Sequence, residues 1–211
     1  MNPVRIKFCG LTRVADVQAA LSLGVDAIGF NLARGPRRIS VDTARDLARL
    51  VHPLVTSVAL FADADEATIL ESMRLTRCQV VQLHGAEPWD LIERLQERFP
   101  VIKAETLRSR DDLTRLKGHP ADALILDAPG GGSGHAWNYD LLEDGSLERP
   151  FILAGGLTPA NVASAILRVN PMGVDVASGI EQVPAHKDPA LMRAFVEAVR
   201  GVAPRGHHPS A

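Results

Sequence analysis

Two residues at the ends of apolar runs have side chains suited to proton transfer. Cys9 ends the run VRIKFC, and Asp127 ends the run ALILD. A thiol whose pKa is lowered can act as a base or nucleophile, and a carboxyl whose pKa is raised can act as an acid. A cysteine buried for packing and an aspartate that caps a turn are the alternative interpretations. The pair predicts acid–base chemistry only if the fold brings both residues to one site.

Three glycine-bearing segments have the composition of an anion site. Glycine allows backbone N–H groups to approach an anion closely, and a helix start adds the positive end of a dipole. Ordinary turn glycines are the alternative, but three such segments on one rim favour a phosphate site. The predicted phosphate-binding residues are Gly132, Ser133, Gly134, Gly155, Gly156, Ser178 and Gly179.

An arginine-rich loop and a histidine add candidates for substrate binding. Arg34, Arg37 and Arg38 lie close together after the second apolar run, and we expect at most two of them to face the site. His84 follows the run VVQL. Solvated loop cations and a rim histidine are the alternatives. The sequence contains no HExxH and no CxxC, so we predict no metal.

Eight short apolar runs supply the elements that must position these residues. Their hydrophobicity is nearly continuous, which is typical of parallel strands that are covered on both faces. Each run is short enough to be a strand, and turn residues separate it from the next segment. Strands are predicted over residues 4–10, 26–32, 56–61, 80–85, 101–105, 123–128, 151–156 and 173–178.

Segments of helical periodicity lie between the runs. Apolar residues recur at spacings of three and four, which predicts helices with one buried face. Ser40 and Asp63 stand before two of these segments as predicted caps. Thr158 and Pro159 predict a cap and a first-turn proline before a third. A short, weak helical segment is predicted at 138–142.

The alternation of eight strands with helices predicts the fold. Consecutive β–α units indicate a parallel sheet with helical crossovers, and eight units close a (β/α)8 barrel. The fold class is therefore α/β, a single-domain TIM barrel with compact loops over residues 1–203, with a disordered tail over 204–211. An open doubly wound sheet is the alternative, but the Gly-rich loop that usually follows its first strand is missing.

The barrel predicts where the candidate residues meet. Active sites of this fold lie at the carboxyl ends of the strands. Cys9 and Asp127 should then face each other across the mouth. Cys78 precedes its strand and lies at the opposite end, so we expect no disulfide between the two cysteines.

Composition and charge exclude several classes of protein. The chain has 211 residues, of which 46% are hydrophobic, and a formal net charge of −2. This balance gives no basic surface for nucleic acid. No apolar run approaches the roughly 20 residues of a membrane helix. The N-terminus has no secretory signal, so we expect a cytoplasmic, reduced protein with no nucleic-acid or membrane partner.

Several segments, in order from about residue 4 to residue 200, together resemble one known family. The combination is specific, although each segment alone is a weak signal. The family is phosphoribosylanthranilate isomerase, an enzyme of tryptophan biosynthesis. The segments are KFCGLT, DAIGF, GPRRIS, VVQLHG, LILDA with GGSG, FILAGGLTPANV and GVDVASGIE with KDP.

The resemblance implies an Amadori rearrangement of N-(5-phosphoribosyl)anthranilate to 1-(2-carboxyphenylamino)-1-deoxyribulose 5-phosphate. It implies that Cys9 is the general base and Asp127 the general acid. Arg37 matches the arginine that meets the anthranilate carboxylate, and Asp175 matches an aspartate near the ribose. The glycine segments match the phosphate site, and His84 is kept as a substrate-binding candidate. No cofactor is expected, because an iminium formed from the substrate is itself an electron sink. We expect a monomer or a homodimer.

Two other functions remain as alternatives. The related sugar-phosphate isomerase of histidine biosynthesis has a similar barrel, but it uses an aspartate where this chain has Cys9. It also has a glycine-rich phosphate loop after strand 3, where this chain reads LFADADE. A non-catalytic phosphate-binding barrel is the second alternative, and the presence of both Cys9 and Asp127 favours an enzyme over it.

Overall fold

Eight parallel strands form a closed barrel in which each strand pairs with the next in chain order and β8 pairs with β1. The computed structural model describes residues 3–127, 139–142, 147 and 149–202. The predicted (β/α)8 fold is confirmed. The strands are β1 Arg5–Cys9, β2 Ala27–Asn31, β3 Thr56–Phe61, β4 Val80–Leu83, β5 Val101–Thr106, β6 Ala123–Asp127, β7 Phe151–Leu153 and β8 Gly173–Val176.

Helices follow the strands and cover the outside of the barrel. Between β6 and β7, the described part of the chain has a single 3-10 turn, Tyr139–Leu141, where the sequence predicted a weak segment. Residues 203–211 lie outside the described residues, so the predicted domain boundary and tail stay predictions. The helices are α1 Val14–Ser22, α2 Val41–Ala48, α3 Glu66–Thr76, α4 Trp89–Gln96, α5 Arg110–Lys117, α6 Val162–Val169 and α7 Pro189–Arg200.

The helix starts agree with the sequence at one predicted cap and differ at another. The Ser40 hydroxyl accepts a hydrogen bond from the Thr43 N–H at 3.1 Å and caps α2, as predicted. The cap of α3 is Asp65 rather than Asp63. Asp63 instead adopts a left-handed conformation with φ 56°, and its carboxylate accepts a hydrogen bond from Ala86 N–H in the next loop. That tertiary contact is not visible from local spacing.

The third predicted cap also lies elsewhere. α6 begins at Val162, after Asn161. The Asn161 side chain accepts a hydrogen bond from the Thr158 N–H at 2.8 Å and donates one to the Gly156 carbonyl at 2.9 Å. These two bonds hold residues 156–161 as a turn, so Thr158 and Pro159 precede the helix instead of opening it.

A two-stranded antiparallel hairpin follows β8 and was not predicted. It consists of β9 Glu181–Val183 and β10 His186–Lys187. The Thr12 hydroxyl donates a hydrogen bond to the Ala185 carbonyl at 2.7 Å, which joins the hairpin to the loop after β1. The hairpin therefore stands beside the strand that carries Cys9.

The core has two parts. Most buried apolar side chains fill the space between strands and helices, where Phe8 meets Phe195 edge-on at 6.1 Å between ring centroids. A smaller cluster lies inside the barrel and consists of Ala104, Ile125 and Ala154. Because strand residues alternate between two faces, the same alternation that buries Phe8 outside the barrel turns Lys7 and Cys9 to its inside.

Candidate active site

A cavity of about 750 Å³ lies at the carboxyl ends of the strands. It is where the fold predicts a barrel active site. The structure brings most predicted site residues to its wall, whereas Gly179 follows Ser178 without lining it. Gly132, Ser133 and Gly134 lie outside the described residues. The lining residues predicted from sequence are Cys9, Arg37, His84, Asp127, Gly155, Gly156, Asp175 and Ser178.

Cys9 is buried at the end of β1, with 7% of its surface exposed. Burial raises the pKa of the Cys9 thiol, and Lys7 and Lys187 oppose that shift without cancelling it. Positive groups beside a thiol favour the thiolate. Those groups are present, but desolvation outweighs them in the site without substrate. Both cysteines are free thiols, as expected.

Lys7 lies two residues before Cys9 and forms an ion pair inside the barrel. Its Nζ donates to Asp175 Oδ1 at 2.8 Å, and the two side chains are 4% and 10% exposed. Register explains the contact, because Lys7 is directly paired with Asp175 where β1 meets β8. Burial alone would lower the pKa of Lys7, but Asp175 and Cys9 together raise it, so the ammonium stays protonated at neutral pH.

Gly29 makes room for the thiol and the ammonium on the neighbouring strand. A Cβ built at Gly29 would lie 3.0 Å from Cys9 Sγ and 3.2 Å from Lys7 Nζ. Both distances are tighter than ordinary van der Waals contacts. Because Gly29, the glycine of the segment DAIGF, has no side chain, β2 leaves space for the side chains of Lys7 and Cys9 on β1.

A second buried network surrounds Arg37. Glu181 Oε1 accepts from Arg37 Nε at 2.7 Å, and Glu181 Oε2 accepts from Arg37 Nη2 at 2.7 Å. Lys187 Nζ donates to the same carboxylate at 2.8 Å and to the Ala177 carbonyl at 2.8 Å. Burial would raise the pKa of Glu181, but the two cations lower it overall. The hairpin β9–β10 supplies Glu181 and Lys187, so it fixes the direction of the Arg37 guanidinium.

The loop arginines differ in their placement. The Arg37 stem crosses Gly10, where an added Cβ would lie 2.6 Å from Arg37 Cδ, and Gly10 has φ +69°. Glycine is therefore required directly after Cys9. Arg34 also lines the cavity, but its side chain is 79% exposed. Arg38 is exposed, so Arg37 is the arginine that is anchored at the site.

His84 lies beside Asp127 across the cavity from Cys9. His84 Nε2 is 3.7 Å from Asp127 Oδ2, and the two side chains are 41% and 20% exposed. The sequence predicted each residue separately. Because of this proximity, the His84 imidazole can form a hydrogen bond with the Asp127 carboxyl or transfer a proton to or from it.

Two of the three predicted anion segments, those after β7 and β8, form turns at the same rim. Gly155 and Gly156 have φ values of 85° and 66°, which L residues with side chains rarely adopt. Ser178 opens a single 3-10 turn, Ser178–Ile180, directly after β8. The loops after β7 and β8 are a frequent phosphate site in barrels of this kind.

Three charged residues of the site were missed by sequence reasoning. Lys7, Glu181 and Lys187 are all nearly buried, with side chains 0–4% exposed. A lysine at an inward position two residues from Cys9 was a readable signal, because alternation puts both on one face. Nothing local marked Glu181 as the partner of Arg37, since 144 residues separate them.

The described residues lack two other kinds of feature. They contain no group of three or more His, Cys, Asp and Glu side chains that could hold a metal ion. None of the helices in the described ranges is long and apolar enough to cross a membrane. The predicted absence of a metal stays a prediction.

Comparison with known proteins decides the family. The sequence model of the family described as N-(5'phosphoribosyl)anthranilate (PRA) isomerase matches residues 6–198. The chain belongs to the phosphoribosylanthranilate isomerase family. The resemblance predicted from short segments is confirmed. The match favours that activity over the isomerase of histidine biosynthesis.

Individual relatives of the family resemble the whole chain. The N-(5'-phosphoribosyl)anthranilate isomerase of Pseudomonas paraeruginosa is 42% identical over 207 residues, which are 95% of this chain and 97% of the relative. The crystal structure of the isomerase from Thermotoga maritima has a TM-score of 0.89 at 34% identity and covers 94% of this chain and 99% of its own. A second structure, an isomerase solved with reduced 1-(o-carboxyphenylamino)-1-deoxyribulose 5-phosphate, has a TM-score of 0.86 at 33% identity and covers 94% of this chain and 99% of its own.

Proposed function

We propose that this chain isomerises N-(5'-phosphoribosyl)anthranilate, with Cys9 as general base and Asp127 as general acid. The observation that carries the proposal is that both residues line one cavity, in a member of this family. The reaction converts an aldose-type amine into a ketose-type amine, so the enzyme is an intramolecular oxidoreductase. Its product would be 1-(2-carboxyphenylamino)-1-deoxyribulose 5-phosphate.

Ring opening is the first step. The protonated Asp127 carboxyl donates its proton to the ring oxygen of the ribose. The C1'–O bond breaks, and the nitrogen lone pair forms a C1'=N iminium. Asp127 is left as a carboxylate within reach of His84, whose Nε2 lies 3.7 Å from Asp127 Oδ2. Acid catalysis of this kind contributes about 10²- to 10⁴-fold to the rate.

Proton removal at C2' is the second step. The Cys9 thiolate takes the C2' proton, and the electrons of the C–H bond form a C1'=C2' double bond while the iminium becomes an amine. The enolamine then takes a proton at C1' and loses one from the C2' hydroxyl, which gives the ketone. No atom or electron is gained overall, so the reaction needs no oxidant or reductant.

The remaining wall residues bind the substrate. Arg37, oriented by Glu181, would meet the anthranilate carboxylate with the part of its guanidinium that Glu181 leaves uncovered. Asp175 lines the cavity beside the predicted ribose position, and His84 completes the opposite wall. The turns with Gly155, Gly156 and Ser178 would hold the phosphate through backbone N–H groups.

The test follows the fluorescence of phosphoribosylanthranilate, with indoleglycerol-phosphate synthase in excess to remove the product. Wild type should give fast decay, and Cys9→Ala and Asp127→Asn should each lose it. Cys78→Ala is the matched control, because Cys78 is also buried but lies outside the cavity wall. No decay with wild type would refute the function, and near-normal decay with Cys9→Ala would refute the mechanism alone.

The assembly and location of the chain are further proposals. A solved relative from Thermotoga maritima is described as a dimeric phosphoribosylanthranilate isomerase from which monomers were generated. For this chain we propose a monomer or a homodimer in the cytoplasm, with no nucleic-acid partner. Light scattering on the eluting peak of a sizing column would show a larger assembly if that expectation is wrong.

A further inference from the structure

We propose that Lys7 is a positioning residue whose ammonium stabilises the thiolate of Cys9. Asp175 fixes the position of Lys7 and weakens that stabilisation. The inference deepens the proposed function, because it assumes that Cys9 works as a base. Lys7 is not proposed to touch the reacting atoms. It acts through the sulfur that does.

The strand geometry places the ammonium next to the sulfur. Lys7 and Cys9 stand at alternate positions of β1, so both point into the barrel. The position that a Cβ on Gly29 would occupy lies 3.0 Å from Cys9 Sγ and 3.2 Å from Lys7 Nζ. The two groups therefore share one small space, and no side chain from β2 separates them.

Burial makes the attraction effective. The Lys7 side chain is 4% exposed and Cys9 is 7% exposed, so little water screens the charges. Opposite charges a few ångströms apart interact several times more strongly at a partly buried site than in bulk water. An isolated buried thiolate would be costly, and a fixed ammonium beside it is the usual remedy.

Among the described residues, three cations and two paired carboxylates surround Cys9. The cations that face it are Lys7 on β1, Arg37 in the loop after β2 and Lys187 on β10. The carboxylates paired with them are Asp175 on β8 and Glu181 on β9. A thiolate at Cys9 supplies the third negative charge for this set. Asp127 lines the same cavity and acts as a proton donor in the proposed reaction.

The opposing interpretation is that Lys7 only closes the barrel. Its bond to Asp175 joins β1 to β8, the strand pair that completes the cylinder. If the pair were purely structural, replacing either partner would lower the stability of the fold. Both replacements would then shift the reactivity of Cys9 in the same direction. If Lys7 stabilises the thiolate, the two replacements must shift the reactivity of Cys9 in opposite directions, because the ammonium favours the thiolate and the carboxylate opposes it.

The experiment measures the alkylation rate of Cys9 by iodoacetamide from pH 6 to 10, without substrate, in a Cys78→Ala background. Thiolate absorbance in the ultraviolet is followed in parallel. Lys7→Met should slow alkylation at neutral pH on the order of tenfold, which corresponds to a rise of about one pKa unit. Asp175→Asn should speed it severalfold. The double variant, which removes the Lys7–Asp175 ion pair as a whole, should lie between them and guards against misfolding of either single variant.

The outcomes separate the inference from the proposed function. An unchanged alkylation profile in Lys7→Met, or a slower rate in both single variants, would overturn the role of Lys7. The alkylation rate is measured without turnover, so its result holds whether or not the chain isomerises phosphoribosylanthranilate. If wild type shows isomerase activity and the opposite shifts are absent, only this inference fails.

Discussion

Replacing Glu181 by Gln should destabilise the fold more than any single change to a surface ion pair. Glu181 accepts two hydrogen bonds from Arg37 and one from Lys187, at 2.7–2.8 Å. The side chains of Glu181 and Lys187 are 4% and 0% exposed, and that of Arg37 is 24% exposed. Glutamine has nearly the same shape, but it brings no charge and only one acceptor oxygen.

The magnitude follows from the bonds lost. A hydrogen bond to a charged group contributes about 1.5–3 kcal/mol, and glutamine keeps at most one oxygen for two cations. Breaking a buried ion pair by removing one partner costs about 3–5 kcal/mol, because the other charge stays buried. For a domain of this size, each 1 kcal/mol lowers the unfolding midpoint by about 2–4 °C, so we expect a drop of roughly 6–20 °C.

The chain contains a matched control. Glu71 also accepts two bonds from one arginine, Arg74, at 2.7 and 2.6 Å, but the two side chains are 55% and 69% exposed. Exposed ion pairs contribute little to stability because water screens them, so Glu71→Gln should lower the midpoint far less than Glu181→Gln. Both variants are compared with wild type by circular dichroism during heating at neutral pH.

The pH dependence of the same variant sharpens the test. The pKa of Glu181 is lowered in the folded state, so its stabilisation is present above the unfolded value of about 4.3 and is lost as the pH falls through the lower folded value. The gap between wild type and Glu181→Gln should therefore narrow below about pH 4. Equal midpoint losses in Glu181→Gln and Glu71→Gln would refute the reasoning.

Three further changes give distinct results. Gly29→Ala should disturb the space shared by Cys9 and Lys7 and lower kcat on the order of tenfold with little change in KM; unchanged kcat would show that the gap is not needed. Gly179→Ala should cost about 1–3 kcal/mol or more, because the new Cβ would overlap the backbone carbonyl of Leu157. Denaturant titration measures that loss, and an unchanged free energy of unfolding would mean that the turn relaxes without cost. Finally, the raised pKa of folded Cys9 gives stability that is fully present below the unfolded value of about 8.5 and is lost as the pH rises through the folded value. In a background whose only cysteine is Cys9, replacing it by Ala should flatten the alkaline loss of stability seen by thermal unfolding, and an identical alkaline slope would contradict the burial effect.

The strands and the rim were predictable because they depend on local pattern. Eight apolar runs at regular spacing specify a parallel barrel, and that fold puts strand ends on one rim. Cys9 and Asp127 could be predicted as a pair on this basis alone, although they are far apart in the chain. The start of α2 could also be predicted, since a serine cap acts within one helical turn.

Features that depend on a distant partner could not be predicted. Asp63 lies near the start of α3, but its contact with Ala86 replaces the capping role that local spacing indicated. The hairpin that carries Glu181 has short strands and little alternation, so no periodic signal marks it. Its position becomes clear only when Arg37 and Lys187 are seen to meet on one carboxylate.

The sequence by itself determined the barrel, the family and the residue types at the rim, because each depends on short-range periodicity or on ordered segments. Only the tertiary structure decided the electrostatics of Cys9. The Lys7–Asp175 bond joins residues 168 positions apart, and it exists because the barrel closes between β8 and β1. Burial then sets the pKa of the thiol, and burial is a property of the closed, packed barrel rather than of any segment.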